Sequence, residues 1–113
     1  MSRELVAIHD GGAVAAILDE RGGRASLRYD DAWRGSEQAL ALSLALPLTA
    51  SSHGPTAVEP WLWGLLPDNT LVLERWGKAF HVSSRNAFRL LEHVGEDCPG
   101  AFQLVPAERA RDW

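Results

Sequence analysis

Cys98 and His93 are of the residue types that make a thiol nucleophile and its base. Their surroundings argue against that chemistry. Cys98 stands directly before Pro99-Gly100, a turn in which a small buried thiol serves as packing. Glu96 and Asp97 precede it, and their charge repels a thiolate, which raises a thiol pKa when a nucleophile needs it lowered. The four histidines, His9, His53, His81 and His93, are scattered and form no HxH or HxxxH pair of the kind that places two metal ligands on one face. Gly11-Gly12 and Gly22-Gly23 fall between strand-like runs, where turn chemistry explains them. Neither pair has the spacing of a phosphate-cradling loop. The residues therefore assign no catalytic, cofactor-binding or metal-binding position, and no cofactor is expected.

The tryptophans carry more information. There are five in 113 residues. On a helical wheel of Val58 to Leu66 at 100° per residue, Val58, Leu62 and Leu65 form the centre of an apolar stripe, and Trp61 and Trp63 fall on its two borders, about 200° apart. One helix face buries the leucines and at most partly hides both indoles. Two readings stay open: both indoles cap the core from its edges, or at least one projects as an interface anchor, a role in which Trp is enriched. Trp76 lies on the apolar side of its own helix and reads as core. Trp33 and Trp113 are in irregular segments and are not assigned.

A chain of 113 residues fits one compact domain. Its net charge of −4 argues against an autonomous nucleic-acid binder, which needs a basic face to displace counterions. The lone cysteine excludes an internal disulfide. Met1 to Asp10 lack the basic start and apolar run of a signal peptide, and no apolar stretch approaches the roughly 20 residues that span a bilayer. The composition points to a cytoplasmic protein with no membrane contact.

The elements that position these residues read as α+β. Leu5–His9 and Ala13–Leu18 are short apolar runs. Arg24–Tyr29 alternates with period two, putting Ala25, Leu27 and Tyr29 on one face, to complete a three-stranded meander with one wet face. Leu40, Leu42, Leu44, Leu46 and Leu48 recur at every second position and predict a fourth strand covered on both faces, with Pro47 ending its ladder or sitting at an edge. After a loop from Thr49 to Pro55, a first helix begins either at a capping box over Thr56–Glu59 or with Pro60 at its first position, and stops at Pro67. Asp68 is the expected cap of a second helix reaching Phe80. Ser83 or Ser84 starts a third, carrying Ala87, Leu90, Leu91 and Val94 on one face, with Gly95 as its stop. Ala101–Val105 reads as a late strand that rejoins the sheet. The expected architecture is thus a small antiparallel or mixed sheet, the meander plus this late strand, packed against about three short helices. The domain is expected over residues 1–105, with 106–113 a charged, frayed tail or the start of a linker.

The order of these pieces resembles a known family. Leu42-Ser43-Leu44-Ala45-Leu46-Pro47-Leu48 is followed by Trp63-Gly64-Leu65-Leu66-Pro67-Asp68-Asn69, by Phe88-Arg89-Leu90-Leu91, and by Val94-Gly95-Glu96-Asp97-Cys98-Pro99-Gly100-Ala101-Phe102-Gln103. Over roughly Leu5 to Val105 this is similar to the N-terminal domain of HipA proteins, the serine/threonine kinase toxins of bacterial HipBA toxin–antitoxin systems.

The resemblance implies a non-catalytic interaction domain. In the family, the ATP site, catalytic aspartate and metal-binding residues belong to the larger portion that follows, so no kinase residue carries over to this sequence. The family's N-terminal domain packs on the kinase core and contributes to contacts with the DNA-binding antitoxin HipB. In a split variant, a small separate protein partners and restrains a shortened kinase. The expected partners are a HipA-like kinase core and a HipB-like antitoxin, without direct nucleic-acid contact. Trp61, Trp63, Asp68 and Asn69 are the expected partner-binding residues. The other reading is the N-terminal domain of a full-length HipA kinase, active only when joined to its catalytic half.

Overall fold

The alternation from Arg24 to Tyr29 builds the inner face of the sheet. In a computed structural model, which describes residues 3–10, 12–37, 39–97 and 101–110, strand β3 (Arg24–Tyr29) buries Ala25, Leu27 and Tyr29 and turns Arg24 and Arg28 to water. Strand β2 (Val14–Arg21) pairs with it antiparallel from Arg21 opposite Arg24 to Ala16 opposite Tyr29. The joining residues Gly22 and Gly23 both have positive φ, 59° and 83°, as a two-residue hairpin turn of the twist-matching type requires. Strand β1 (Arg3–His9) lies on the other side of β2, its register shifting between Ala7 and Ile8. Beyond β1 lies β5 (Phe102–Pro106), the late strand rejoining the sheet as expected. On the opposite edge β4 (Ser52–His53) pairs with Leu27 and Arg28. The order is β4-β3-β2-β1-β5, antiparallel throughout.

No strand forms over the alternating leucines. Leu46 is buried and Leu42 and Leu48 are half-buried, but Leu40 is 52% exposed and Leu44 fully exposed. The backbone of this segment finds its partners elsewhere. The Leu42 N–H donates to the Tyr29 hydroxyl at 2.9 Å, and that hydroxyl donates to the Leu46 carbonyl at 2.6 Å. Ser43 supplies a local turn, its hydroxyl accepting from the Ala45 N–H at 3.2 Å and its carbonyl from the Leu46 N–H at 3.0 Å. Ser52–His53 takes the position beside β3. Pro47 therefore ends no ladder; its carbonyl meets His53 Nε2 at 3.0 Å.

The helices start where local capping is best. Helix α1 (Asp31–Arg34) is one turn, capped by the Asp30 carboxylate on the Trp33 N–H. It buries Trp33, whose indole N–H donates to the Leu40 carbonyl at 3.1 Å. Helix α2 (Pro55–Gly64) begins earlier than either expected start: Gly54 is the extended cap, and Pro55, with φ preset, occupies the first position. Pro60 is thereby inside the helix. Helix α3 (Thr70–Phe80) is capped by Asn69 and not by Asp68; Asn69 Oδ1 accepts from Leu71 and Val72 N–H at 2.9 and 3.3 Å. Helix α4 (Ala87–Val94) starts after Asn86, whose side chain takes the Arg89 N–H, because Ser83 is spent on a turn that accepts from Arg85 and Asn86.

The core lies between the inner sheet face and helices α2 and α4. Leu5, Leu18, Leu27 and Leu104 meet Val58, Leu62, Phe88, Leu90 and Leu91 in one cluster. Trp76, expected as core, is half-buried against its edge, and Gly77 is the buried residue of α3. The expected frayed tail is ordered at its start: Pro106 belongs to β5, and helix α5 (Ala107–Ala110) sets Ala107 and Ala110 on Val6, Ile8 and Val105 across the outer face. Arg109 holds it in place through a two-pronged ion pair with Glu96, at 2.7 and 3.0 Å.

Gly95 ends α4 for a reason other than a left-handed turn. Its φ is −62°, and the chain continues into a 3-10 turn over Gly95–Asp97. A side chain there would put Cβ 2.5 Å from the Leu104 carbonyl oxygen and 2.8 Å from Leu104 Cβ. Gly95→Ala is expected to lower unfolding free energy by about 1–3 kcal/mol, as overpacking against backbone does. Urea unfolding measures it, and an unchanged midpoint would contradict the close approach.

Candidate docking surface

Helix α2 divides its residues by angle. Val58 and Leu62 are fully buried against β3 and α4, and Leu66 is nearly so. Trp61 and Trp63, one on each border of that stripe, are both half-buried and both packed against the same core cluster. Among the described residues neither indole N–H has a hydrogen-bond partner, in contrast to the core indole of Trp33. Each therefore presents an apolar edge and a free donor at the surface, the pairing that suits Trp to interfaces.

The helix ends in a tightened turn, with Leu65 N–H on the Leu62 carbonyl and Leu66 N–H on that of Trp63. Pro67, Asp68, Asn69 and Thr70 follow, all exposed, and Leu71 on the first turn of α3 is 70% exposed. Trp63 thus lies in the last turn of α2, just before the short connection that carries Asp68 and Asn69, while Trp61 lies on the other border of α2. Asn69 is committed to capping, and Asp68 is free of that task. Leu71 adds apolar surface that the sequence pattern did not single out. Its signal was present: it directly precedes Val72, the first residue of the α3 stripe, and so points off that face.

Glu59 lies two residues before Trp61. Burial pushes its carboxyl pKa up, while a hydrogen bond from the Ala25 backbone and the nearby Arg24 pull it back down. This ties the start of the surface to the edge of β3.

The remaining chemically capable residues have structural occupations. His9 packs against Trp33 and Phe102, at centroid distances of 5.2 and 5.4 Å. His53 meets the Tyr29 ring edge-on, and His93 stacks on Phe80 at 4.4 Å. His81 caps α3 in the left-handed conformation, φ 58°. Cys98 and the turn expected at Pro99-Gly100 lie outside the described residues. Among the described residues no group of three or more His, Cys, Asp or Glu stands together to hold a metal, and no helix is long and apolar enough to cross a membrane.

The capping geometry separates two residues that adjoin in sequence. Asn69→Ala should cost about 1 kcal/mol of stability through loss of the cap, whereas Asp68→Ala should change it by less than about 0.5 kcal/mol, as for an exposed residue without such a role. Thermal unfolding of both variants checks this, and equal losses would refute the assignment of the cap.

Two comparisons with known proteins bear on this surface. The family model described as HipA N-terminal domain matches residues 5–105. The chain is also 35% identical over 100 residues to the protein named Putative kinase Y4mE of Sinorhizobium fredii (strain NBRC 101917 / NGR234), an alignment covering 88% of this chain and 24% of that protein. The chain spans about a quarter of the length of this relative.

Proposed function

Because the chain belongs to the HipA N-terminal domain family, the non-catalytic part of HipA proteins, we propose that it is a protein-interaction domain of a bacterial HipA-type toxin–antitoxin system that docks on and modulates a HipA-like serine/threonine kinase. The observation that carries this reading is the pair of half-buried indoles, Trp61 and Trp63, on the two borders of α2. The helix is fixed by its buried Val58 and Leu62, so an indole that completes its burial against a partner loses little further freedom. An aromatic anchor of this kind contributes on the order of 2 kcal/mol or more at the centre of an interface. Asp68, exposed and free of the capping role, offers a carboxylate beside the apolar contact.

The relative supplies a second reading. There the matched segment is about a quarter of a longer protein named as a kinase. On that pattern this domain acts covalently joined to a catalytic portion and also contacts a HipB-like antitoxin. A reading frame continuing past Trp113 into a kinase-like portion selects this reading, and a separate shortened kinase gene selects the first. The docking surface is the same in both. Operator DNA is not proposed as a ligand, since the chain's net charge of −4 opposes phosphate contact.

The test is titration calorimetry of the chain against a separately purified HipA-like kinase from the source organism. Trp63→Ala or Trp61→Ala is expected to weaken binding about 30-fold, the equivalent of 2 kcal/mol. Unchanged affinity in both variants, with folding intact, rejects the anchor role.

A further inference from the structure

Leu44 is an apolar side chain held in water by a rigid backbone. It is fully exposed, at 101% of its reference accessibility. A single exposed leucine is ordinary, but the fixed loop around this one is not. The Tyr29 hydroxyl bridges its two flanks, accepting from the Leu42 N–H at 2.9 Å and donating to the Leu46 carbonyl at 2.6 Å. Ser43 bonds the Ala45 and Leu46 N–H groups, and Arg34 Nε holds the Leu48 carbonyl at 3.0 Å. Trp33 holds the Leu40 carbonyl on the other side. Leu42, Leu46 and Leu48 turn inward, so the loop is fastened on both sides of Leu44 by core contacts as well as hydrogen bonds.

The loop's own side chains are uncharged, and the nearby Arg34 guanidinium is turned onto the Leu48 and Thr49 carbonyls. No Asp, Glu, Lys or Arg occurs between Glu37 and Glu59, and Leu40, Ala45 and Pro47 are exposed together with Leu44. The exposed side chains of the patch itself, Leu40, Leu44, Ala45 and Pro47, carry no charge to offer phosphates or a charged peptide. The patch fits an apolar recess on a folded protein, and the ordering cost of docking is already met in the free chain.

We propose that Leu44, on the loop fastened by Tyr29, is a second docking contact to the same HipA-like kinase, inserting into an apolar recess of its surface. This rests on the docking reading above. The kinase is the chosen occupant because the relative named as a kinase has about three quarters of its chain outside the aligned segment. That portion is available to cover a loop this domain leaves bare.

The experiment is titration calorimetry of wild type, Leu44→Ser, Trp63→Ala and Tyr29→Phe against the kinase used above. Leu44→Ser should weaken binding about tenfold or more and leave the unfolding midpoint unchanged, since Leu44 has no part in the core. Tyr29→Phe keeps Leu44 but releases its loop, and should also weaken binding. A variant carrying both Tyr29→Phe and Leu44→Ser should bind no more weakly than Leu44→Ser alone, because both changes act through one side chain. Wild-type affinity in Leu44→Ser, with Trp63→Ala weakened, overturns the inference and leaves the docking reading standing. A wild type that does not bind the kinase overturns both. A wild-type dimer in sedimentation that Leu44→Ser abolishes assigns the patch to a second copy of the chain, and so overturns the kinase as its occupant.

Discussion

The two-way hydrogen bond of the Tyr29 hydroxyl is the constraint on which the connection between sheet and helices depends. Tyr29 ends β3 with its ring in the core, next to a segment that has no ladder partner. Buried backbone groups need partners, and a single hydroxyl serves as both donor and acceptor. Burial pushes its pKa up, against a smaller opposing pull from the Leu42 N–H, so the phenol keeps the proton it donates to Leu46. Leu46 is thereby lodged among the helix leucines while Leu44 is turned out. One side chain thus decides which of five similar leucines become core.

A second consequence concerns the sheet's outer face. Over β1 and β5 it is apolar, with Val6, Ile8 and Val105 covered by α5. Over β2 and β3 it is polar, with Asp19, Arg21 and Arg28 facing water and Asp19 paired to Arg21 at 3.2 Å. The inner face needs α2 and α4 together, and Asn86 joins the two layers by capping α4 while its amide reaches the buried Glu20 at 3.4 Å. Exposed ion pairs contribute little here; apolar burial and satisfied caps hold the layers.

Much of this was legible in the sequence, for reasons that particular residues make plain. Arg24–Tyr29 alternates on a half-buried strand, so period and environment agree. The Ala87, Leu90, Leu91 stripe of α4 and the border positions of Trp61 and Trp63 follow from helix geometry alone. The leucines from Leu40 to Leu48 misled because strict alternation is also compatible with a turn-rich loop, when the satisfying hydroxyl comes from Tyr29, 17 residues from Leu46. Asp68 and Asn69 adjoin and both suit a cap, so the sequence does not separate the expected Asp68 from the Asn69 that caps α3. Gly95 reads as a stop in the sequence, but its cause, the approach of Leu104, is a tertiary contact. The exposure of Leu44 and the burial of Trp33 depend on the same long-range contacts and leave no local pattern.

The edge of the sheet narrows how a partner can engage. A bare strand edge invites pairing with another chain, yet β3 is covered on its β4 side from Leu27 to Tyr29. The Tyr29 N–H donates to the Ser51 carbonyl, and β4 pairs with Leu27 and Arg28. Helix α2, which displays the tryptophans, packs against β3 as well, with the partly desolvated Glu59 carboxyl near Arg24 and Ala25. On the proposed docking reading, recognition proceeds through side chains on backbone held by the core, of which the indole borders of α2 and the leucine loop fastened by Tyr29 are the candidates.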